Sequence, residues 1–158
     1  MLDELTPDQW AKIKRGWVPV AGHLYVNPAD HIDWWRVLAV NADGQVLEWV
    51  DCLHGCYTPE DGEWPEDAVP CFWGDHATTD GLLRTARAMW RDESLHVVPT
   101  DTGFALCVVR PRVNGERWHY VWDGESWARP PAGRSLKVQF QSEPAALLAA
   151  ILAAPGAQ

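Results

Sequence analysis

The sequence predicts an α+β fold, with a mainly antiparallel β-sheet, about three helices and one long irregular acidic loop. Two β-rich runs around an Asp-Gly pair predict a hairpin, and short β-rich runs separated by NG and DG turns predict a C-terminal meander. Apolar residues spaced three and four apart predict the helices. From chain length we expect one domain over residues 1–154, followed by a frayed tail at 155–158.

The first predicted element is a short helix over residues 6–16. Thr6 is suited to the N-cap and Pro7 to the first helical position, while Gln9 completes a capping box. Gly16 can end the helix.

A bent or edge strand is predicted next, over residues 17–26, because Pro19 cannot donate a ladder hydrogen bond. The hairpin follows at 34–51, with Asp43 and Gly44 in its turn. The hairpin is therefore expected to form the first half of the sheet.

The second half begins with a helix predicted over residues 79–92, followed by the meander from residue 95. The run at 104–109 is apolar on both faces, so it is expected to be a central strand with Cys107 as an inert core thiol. Ser142 is expected to cap the last helix.

The loop over residues 51–78 holds most of the charge imbalance. The chain has a net charge of −9, and residues 51–80 contain eight acids and no Lys or Arg, which leaves −1 for all other residues. Leu53 and Val69 are the only Ile, Leu, Val or Met side chains between residues 51 and 76. Because ordering costs about 1–2 kcal/mol per residue in backbone entropy, another interaction must hold the loop.

Three interactions could order this loop. Aromatic side chains could anchor it, or its acids could dock on the arginines of the second helix, or it could bind a metal ion. The aromatic anchors would be Tyr57, Trp64, Phe72 and Trp73, and the arginines Arg84, Arg87 and Arg91.

A zinc ion is the metal that the loop fits best. The candidate ligands are Cys52, Cys56 and Cys71 with His76, or with His54 in its place. The paired C-x2-C spacing typical of zinc sites is missing, so aromatic anchoring with unliganded thiols is favoured and no cofactor is expected. A Cys52–Cys56 or Cys56–Cys71 disulfide is disfavoured in a reducing cytosol, and the acids lack the alternation of a calcium loop.

The sequence contains no catalytic motif with a specific spacing. Asp30, His31 and Asp33 are interpreted as a polar turn, and His119 near Asp123 as part of a sheet surface. An enzyme is therefore not favoured, although a ligand-binding protein or enzyme with a Trp-lined pocket and Asp30, His31 or His119 is one alternative.

The favoured interpretation is a non-catalytic binding or inhibitory protein, of the antidote or counter-defence type, that presents an acidic aromatic lobe to a basic protein partner. That partner could itself bind nucleic acid, whereas direct nucleic-acid binding is not expected from so acidic a chain. A zinc-stabilised domain is the other alternative. The predicted partner-binding residues are Glu60, Asp61, Glu63, Trp64, Glu66, Asp67 and Trp73.

The location predicted from the sequence is the cytoplasm. The first ten residues contain acids and no apolar run, so no secretory signal is expected. The longest apolar run, at 147–154, is far shorter than the roughly 20 residues that span a bilayer, so no membrane association is expected either.

Overall fold

A computed structural model describes residues 5–29, 32–53, 55–71, 75–130 and 136–155. In this part of the chain there are three helices and two antiparallel sheets, of five and four strands, which confirms the predicted α+β fold. Contacts divide the chain into two compact units, Met1–Leu82 and Leu83–Gln158, here called the N-terminal and C-terminal units. The single domain expected from chain length stays a prediction. No helix among the described residues is both long and apolar enough to cross a bilayer.

The sheet of the N-terminal unit has five strands in the order β4-β3-β2-β1-β5. The predicted hairpin is confirmed as β2 and β3, with Gly44 at a positive φ of 81° in the turn. β1 lies between β2 and β5, so the expectation of an edge strand is wrong. Pro19 does not prevent this position because β1 begins five residues after it. The strands are β1 Leu24–Val26, β2 Trp34–Val40, β3 Val46–Asp51, β4 Cys56–Tyr57 and β5 Val69–Pro70.

Two of these strands lie in the segment predicted to be irregular. β4 pairs with β3, and β5 pairs with β1, so the loop supplies both edge strands of the sheet. Each strand has only two residues, which is too short for a period-2 pattern to be visible in the sequence.

The three helices are α1 Pro7–Gly16, α2 His76–Trp90 and α3 Glu143–Ala153. The capping box of α1 is confirmed: the Thr6 hydroxyl accepts from the Gln9 amide at 3.2 Å, and the Thr6 amide donates to the Gln9 side chain at 2.9 Å. Ser142 caps α3 by accepting from the Ala145 amide at 3.2 Å. α2 begins three residues earlier than predicted.

Asp75 explains the earlier start of α2. Its carboxylate accepts from the Thr78 amide at 3.0 Å and from the Thr78 hydroxyl, as an N-cap residue does. The Arg36 guanidinium of β2 lies 3.4 Å away, and the Thr78 hydroxyl accepts from the Leu24 amide of β1 at 3.0 Å. Partial burial raises the pKa of Asp75, but the bonds from Thr78 and Arg36 outweigh it, so this pKa lies below its usual value. One carboxylate thus joins the start of α2 to two strands.

The sheet of the C-terminal unit has four strands in the order β6-β7-β8-β9. β7 is an inner strand whose residues 105–108 are buried, which confirms the predicted central strand and the buried Cys107 thiol. The last predicted run of the meander forms only an isolated bridge between Phe104 and Phe140. The strands are β6 His96–Pro99, β7 Phe104–Pro111, β8 Arg117–Trp122 and β9 Trp127–Ala128.

A cluster of three partly buried tryptophans contacts α3 in the C-terminal unit. The rings of Trp90, Trp122 and Trp127 meet edge to face, with centroids 5.1–5.6 Å apart. The Trp90 indole N–H donates to the Ala150 carbonyl of α3 at 2.7 Å, and α3 packs on β6 and β7 through buried Leu147 and Ile151. These tryptophans are therefore structural.

Candidate functional site

A groove of about 740 Å³ lies in the N-terminal unit, between β3 and the acidic loop of residues 51–78, here called the acidic segment. We call the groove itself the acidic groove. It brings together hydrophobic residues of β3 and four of the predicted partner-binding residues. The side chains that matter for its chemistry are Val46, Trp49, Glu63, Trp64, Glu66 and Asp67.

Stacked aromatic rings form the floor of the acidic groove. Trp49 is only 3% exposed, and its ring stacks on Tyr57 of β4 with centroids 6.2 Å apart and an interplanar angle of 17°. Trp64 meets Trp49 edge to face at 5.5 Å and Tyr25 of β1 at 5.0 Å. Aromatic anchoring is thus confirmed for Tyr57 and Trp64, while Phe72 and Trp73 lie outside the described residues.

Buried groups behind this floor hold Tyr25 in place. The Trp17 indole N–H donates to the Tyr25 hydroxyl at 2.8 Å, and Tyr25 is 4% exposed. Burial raises the pKa of Tyr25 above its usual value, although the hydrogen bond from Trp17 opposes this shift. The hydroxyl therefore stays protonated, and Trp64 rests on a neutral ring.

Polar contacts shape the acidic segment above the floor. The Asp61 carboxylate accepts from the Thr58 amide at 3.1 Å and from the Thr58 hydroxyl at 3.0 Å, so it stabilises a turn. The Lys14 ammonium of α1 donates to the backbone carbonyl of Glu66. These contacts and the aromatic anchors order the segment without many aliphatic side chains.

The carboxylates of Glu63, Glu66 and Asp67 are exposed along the acidic groove, and that of Glu60 lies nearby. Within the described ranges none of these four carboxylates forms an ion pair or a side-chain hydrogen bond. Lys14 contacts the backbone carbonyl of Glu66 and not its carboxylate. The N-terminal unit has 15 acids against 4 bases, a net charge of −11, whereas the C-terminal unit has 7 against 9, a net charge of +2. The groove therefore keeps a strong negative potential.

The candidate zinc ligands lie at different places on the sheet. Cys52 follows β3, with its sulfur 3.7 Å from an Asp33 carboxylate oxygen, and Cys56 is exposed on β4. Cys71 follows β5 and is buried in a small apolar cluster. None of these three cysteines forms a disulfide, so neither considered disulfide is present.

The strand order separates two of these ligands. β4 and β5 are the opposite edges of a five-stranded sheet, and four strand spacings amount to about 19 Å. Zinc–sulfur bonds are only about 2.3 Å long, so this sheet does not bring Cys56 and Cys71 to one ion. His54 and the side chain of His76 lie outside the described residues, among which no group of three ligands was found. Zinc binding by a smaller set stays a prediction.

Thiol labelling distinguishes the cysteines by their exposure. We expect a thiol-specific reagent to modify Cys56 first in the native protein, and Cys71 and Cys107 only after unfolding, because these two are 4% and 5% exposed. Burial also raises the pKa of Cys107, which lowers the fraction of reactive thiolate. Peptide mapping by mass spectrometry identifies each modified residue, and Cys56→Ser should remove the fast phase. Early modification of Cys71 would contradict the buried position after β5.

The residues considered for acid–base chemistry that fall within the described ranges, Asp33, His119 and Asp123, have separate roles. Asp30 and His31 lie outside the described residues, and Asp33 contacts Cys52. His119 is exposed on β8, while Asp123 accepts from two backbone amides of a turn. The backbone bonds from Ser126 and Glu125 lower the pKa of Asp123, as expected for a turn residue.

Sequence analysis did not identify the residues that β3 contributes to the groove, Val46 and Trp49, because their strand was assigned to the sheet alone. The register supplies the missing signal, since Trp49 lies opposite Tyr57 in the β3–β4 pair. A pair of aromatic residues across a strand pair indicates a shared aromatic surface. No family model, no curated protein and no solved structure matches this chain.

Proposed function

We propose that this chain is a non-catalytic binding protein that holds a basic segment of a partner protein in the acidic groove. The observation that carries the proposal is the position of three unneutralised carboxylates, those of Glu63, Glu66 and Asp67, beside the Trp64 ring. An inhibitory role of the antidote or counter-defence type follows if the bound segment is one that the partner needs for its own activity.

Lysine and arginine side chains match this combination of groups. Their aliphatic stems pack on an indole while their charged ends reach carboxylates. A cation above a tryptophan face is worth about 0.5–2 kcal/mol, depending on its desolvation. The net charge of −11 on the N-terminal unit would also attract a basic partner over long range and raise its association rate.

The volume of the groove limits what it can hold. At about 740 Å³ it resembles a ligand pocket of roughly 300–1,000 Å³ in size, so it accommodates a few side chains of a short segment. The same volume favours a second candidate, a cationic small molecule. An anionic or neutral ligand would instead face three uncompensated carboxylates.

Neutralising the groove tests the proposal. The variant E63Q/E66Q/D67N should lose at least about tenfold in affinity for proteins captured from the native cell at low salt, because it loses three charged contacts. Capture by the wild type should also fall as salt rises, since screening weakens exposed charge pairs. Quantitative mass spectrometry of the captured proteins provides the measurement.

A matched control separates the groove from net charge. The variant E93Q/D101N/E125Q removes the same three charges from exposed positions in the C-terminal unit and should keep its binding. Equal losses in both variants, or capture that does not change with salt, would contradict the proposal.

A further inference from the structure

The exposed end of the C-terminal sheet carries two arginines stacked on one tryptophan. The guanidinium carbon of Arg112, just after β7, lies 3.8 Å from the centroid of the Trp118 ring. That of Arg129, just after β9, lies 4.2 Å from the same centroid. Because Trp118 is on β8, which lies between β7 and β9, the two arginines reach it from opposite sides. We call these three residues the Arg–Trp ridge.

The arginines of the ridge keep most of their hydrogen-bonding capacity. Arg129 donates to the His119 carbonyl at 3.2 Å, but across the described ranges neither it nor Arg112 pairs with a carboxylate. The charge of Arg110, two residues before Arg112, is by contrast paired, because its guanidinium lies 3.4 Å from the Asp92 carboxylate. The Glu116 carboxylate accepts from the Trp118 indole N–H at 3.3 Å, but among the described residues it forms no ion pair with either arginine. The ridge is therefore an exposed surface with an excess of positive charge.

Stacking prepares these arginines to bind carboxylates. A guanidinium group that lies over an indole leaves its in-plane N–H edge free for a bidentate contact. Its side chain is already partly fixed, so less freedom is lost on binding. The two guanidinium carbons lie 3.8 and 4.2 Å from one centroid and thus within 8.0 Å of each other. Alternate residues of an extended strand are about 6.6 Å apart, which lies within this limit.

The composition of the surface favours a protein partner over nucleic acid. The guanidinium groups of Arg112 and Arg129 lie 3.8 and 4.2 Å from the centroid of the Trp118 ring, so a nucleobase would have to displace an arginine from the space where it would stack. Arg, Trp and Tyr are the residues enriched in protein-binding hot spots, and Tyr120 lies beside the ridge, 5.9 Å from Arg129. Val113, fully exposed in the adjoining hairpin turn, offers an apolar contact.

We propose that the Arg–Trp ridge is a second binding surface, which takes an acidic, extended segment of a partner protein through carboxylates on alternate residues. It is independent of the acidic groove and has the opposite charge. A chain with both surfaces can bind a basic segment with one unit and an acidic segment with the other.

Fluorescence anisotropy with the full chain tests this proposal. The probe is a short fluorescein-labelled peptide of alternating glutamate and threonine, and an oligodeoxythymidine serves as the comparison. R112Q/R129Q should weaken peptide binding at least about tenfold. R112K/R129K, which keeps the charge but loses the planar fork, should weaken it about threefold or more.

Two control variants complete the design. R84Q/K137Q removes the same charge from exposed positions outside the ridge and should bind the peptide within about twofold of the wild type. E63Q/E66Q/D67N should bind it at least as tightly as the wild type, so that failure of the acidic groove and failure of the ridge are distinguishable.

Several outcomes would overturn the proposal. These are the absence of saturable peptide binding by the wild type, equal binding by R112Q/R129Q, and tighter binding of the oligodeoxythymidine at the same arginines. Self-association of the free protein that disappears in R112Q/R129Q would also overturn it, because the occupant would then be a second copy of this chain.

Discussion

Trp49→Ala is expected to lower the free energy of unfolding of the N-terminal unit by about 3–5 kcal/mol. Trp49 is 3% exposed and contacts the rings of Tyr57 and Trp64. Its removal leaves a cavity that β3 cannot fill, and it deprives Trp64 of one of its two ring contacts. The change should therefore weaken the anchoring of the acidic segment as well as the sheet.

Denaturant unfolding followed by circular dichroism measures this loss. Trp34→Ala provides a matched control, because Trp34 lies on β2 of the same sheet but is 37% exposed. We expect it to cost clearly less than Trp49→Ala, since more than a third of the Trp34 surface is already exposed and less buried area is lost. Equal costs for the two substitutions would mean that Trp49 is not the floor of the acidic groove.

Elements with local signals could be predicted from the sequence. The Thr6 and Gln9 side chains bond to each other's backbone amides, and the turn at Gly44 requires a positive φ. The capping box and the turn can therefore each be recognised from a few consecutive residues. The buried run of β7 was equally clear, because an inner strand covered on both sides needs apolar residues at every position.

Elements that depend on distant partners could not be predicted. β4 exists because Cys56 lies opposite Val50, and β5 because Val69 lies opposite Val26, and two-residue strands carry no pattern of their own. The zinc hypothesis also depended on residues that are distant in the sequence. Spacing along the chain suggested that Cys56 and Cys71 could share an ion, whereas strand order puts them at opposite edges of the sheet.

The acidic groove was predicted in part for the same reason. The concentration of acids in residues 51–80 is a property of composition, so the sequence was sufficient to identify it. The role of Asp61 in a turn with Thr58, and the use of Trp49 as a floor for Trp64, depend on geometry. Composition therefore located the acidic surface, and the fold decides which of its side chains are exposed.

Gly81→Ala is expected to destabilise the N-terminal unit, although alanine is the better helix former. Intrinsic propensity favours alanine inside α2 by about 1 kcal/mol. A Cβ at Gly81, however, would lie 2.6 Å from the Trp17 ring and 2.8 Å from the His23 ring, both of them buried. Overpacking of this kind costs about 1–3 kcal/mol, so the clash should cancel the gain or exceed it.

The buried ring of Trp17 is held in place, so it cannot relieve this clash by moving. Trp17 cannot move away without disturbing its 2.8 Å hydrogen bond to Tyr25, on which Trp64 rests. Thermal unfolding of Gly81→Ala should therefore show a lower midpoint than the wild type. Ala88→Gly, at an exposed position of the same helix, gives the propensity effect alone.

A double-mutant cycle identifies the source of the effect. Trp17→Phe replaces the indole by a smaller ring, which removes the closer of the two clashes of a Cβ at Gly81 and leaves the one with His23. In that background Gly81→Ala should cost less than in the wild type, with a coupling of about 1 kcal/mol or more. If the cost of Gly81→Ala were the same in both backgrounds, the contact with Trp17 would not be what requires glycine at this position of α2.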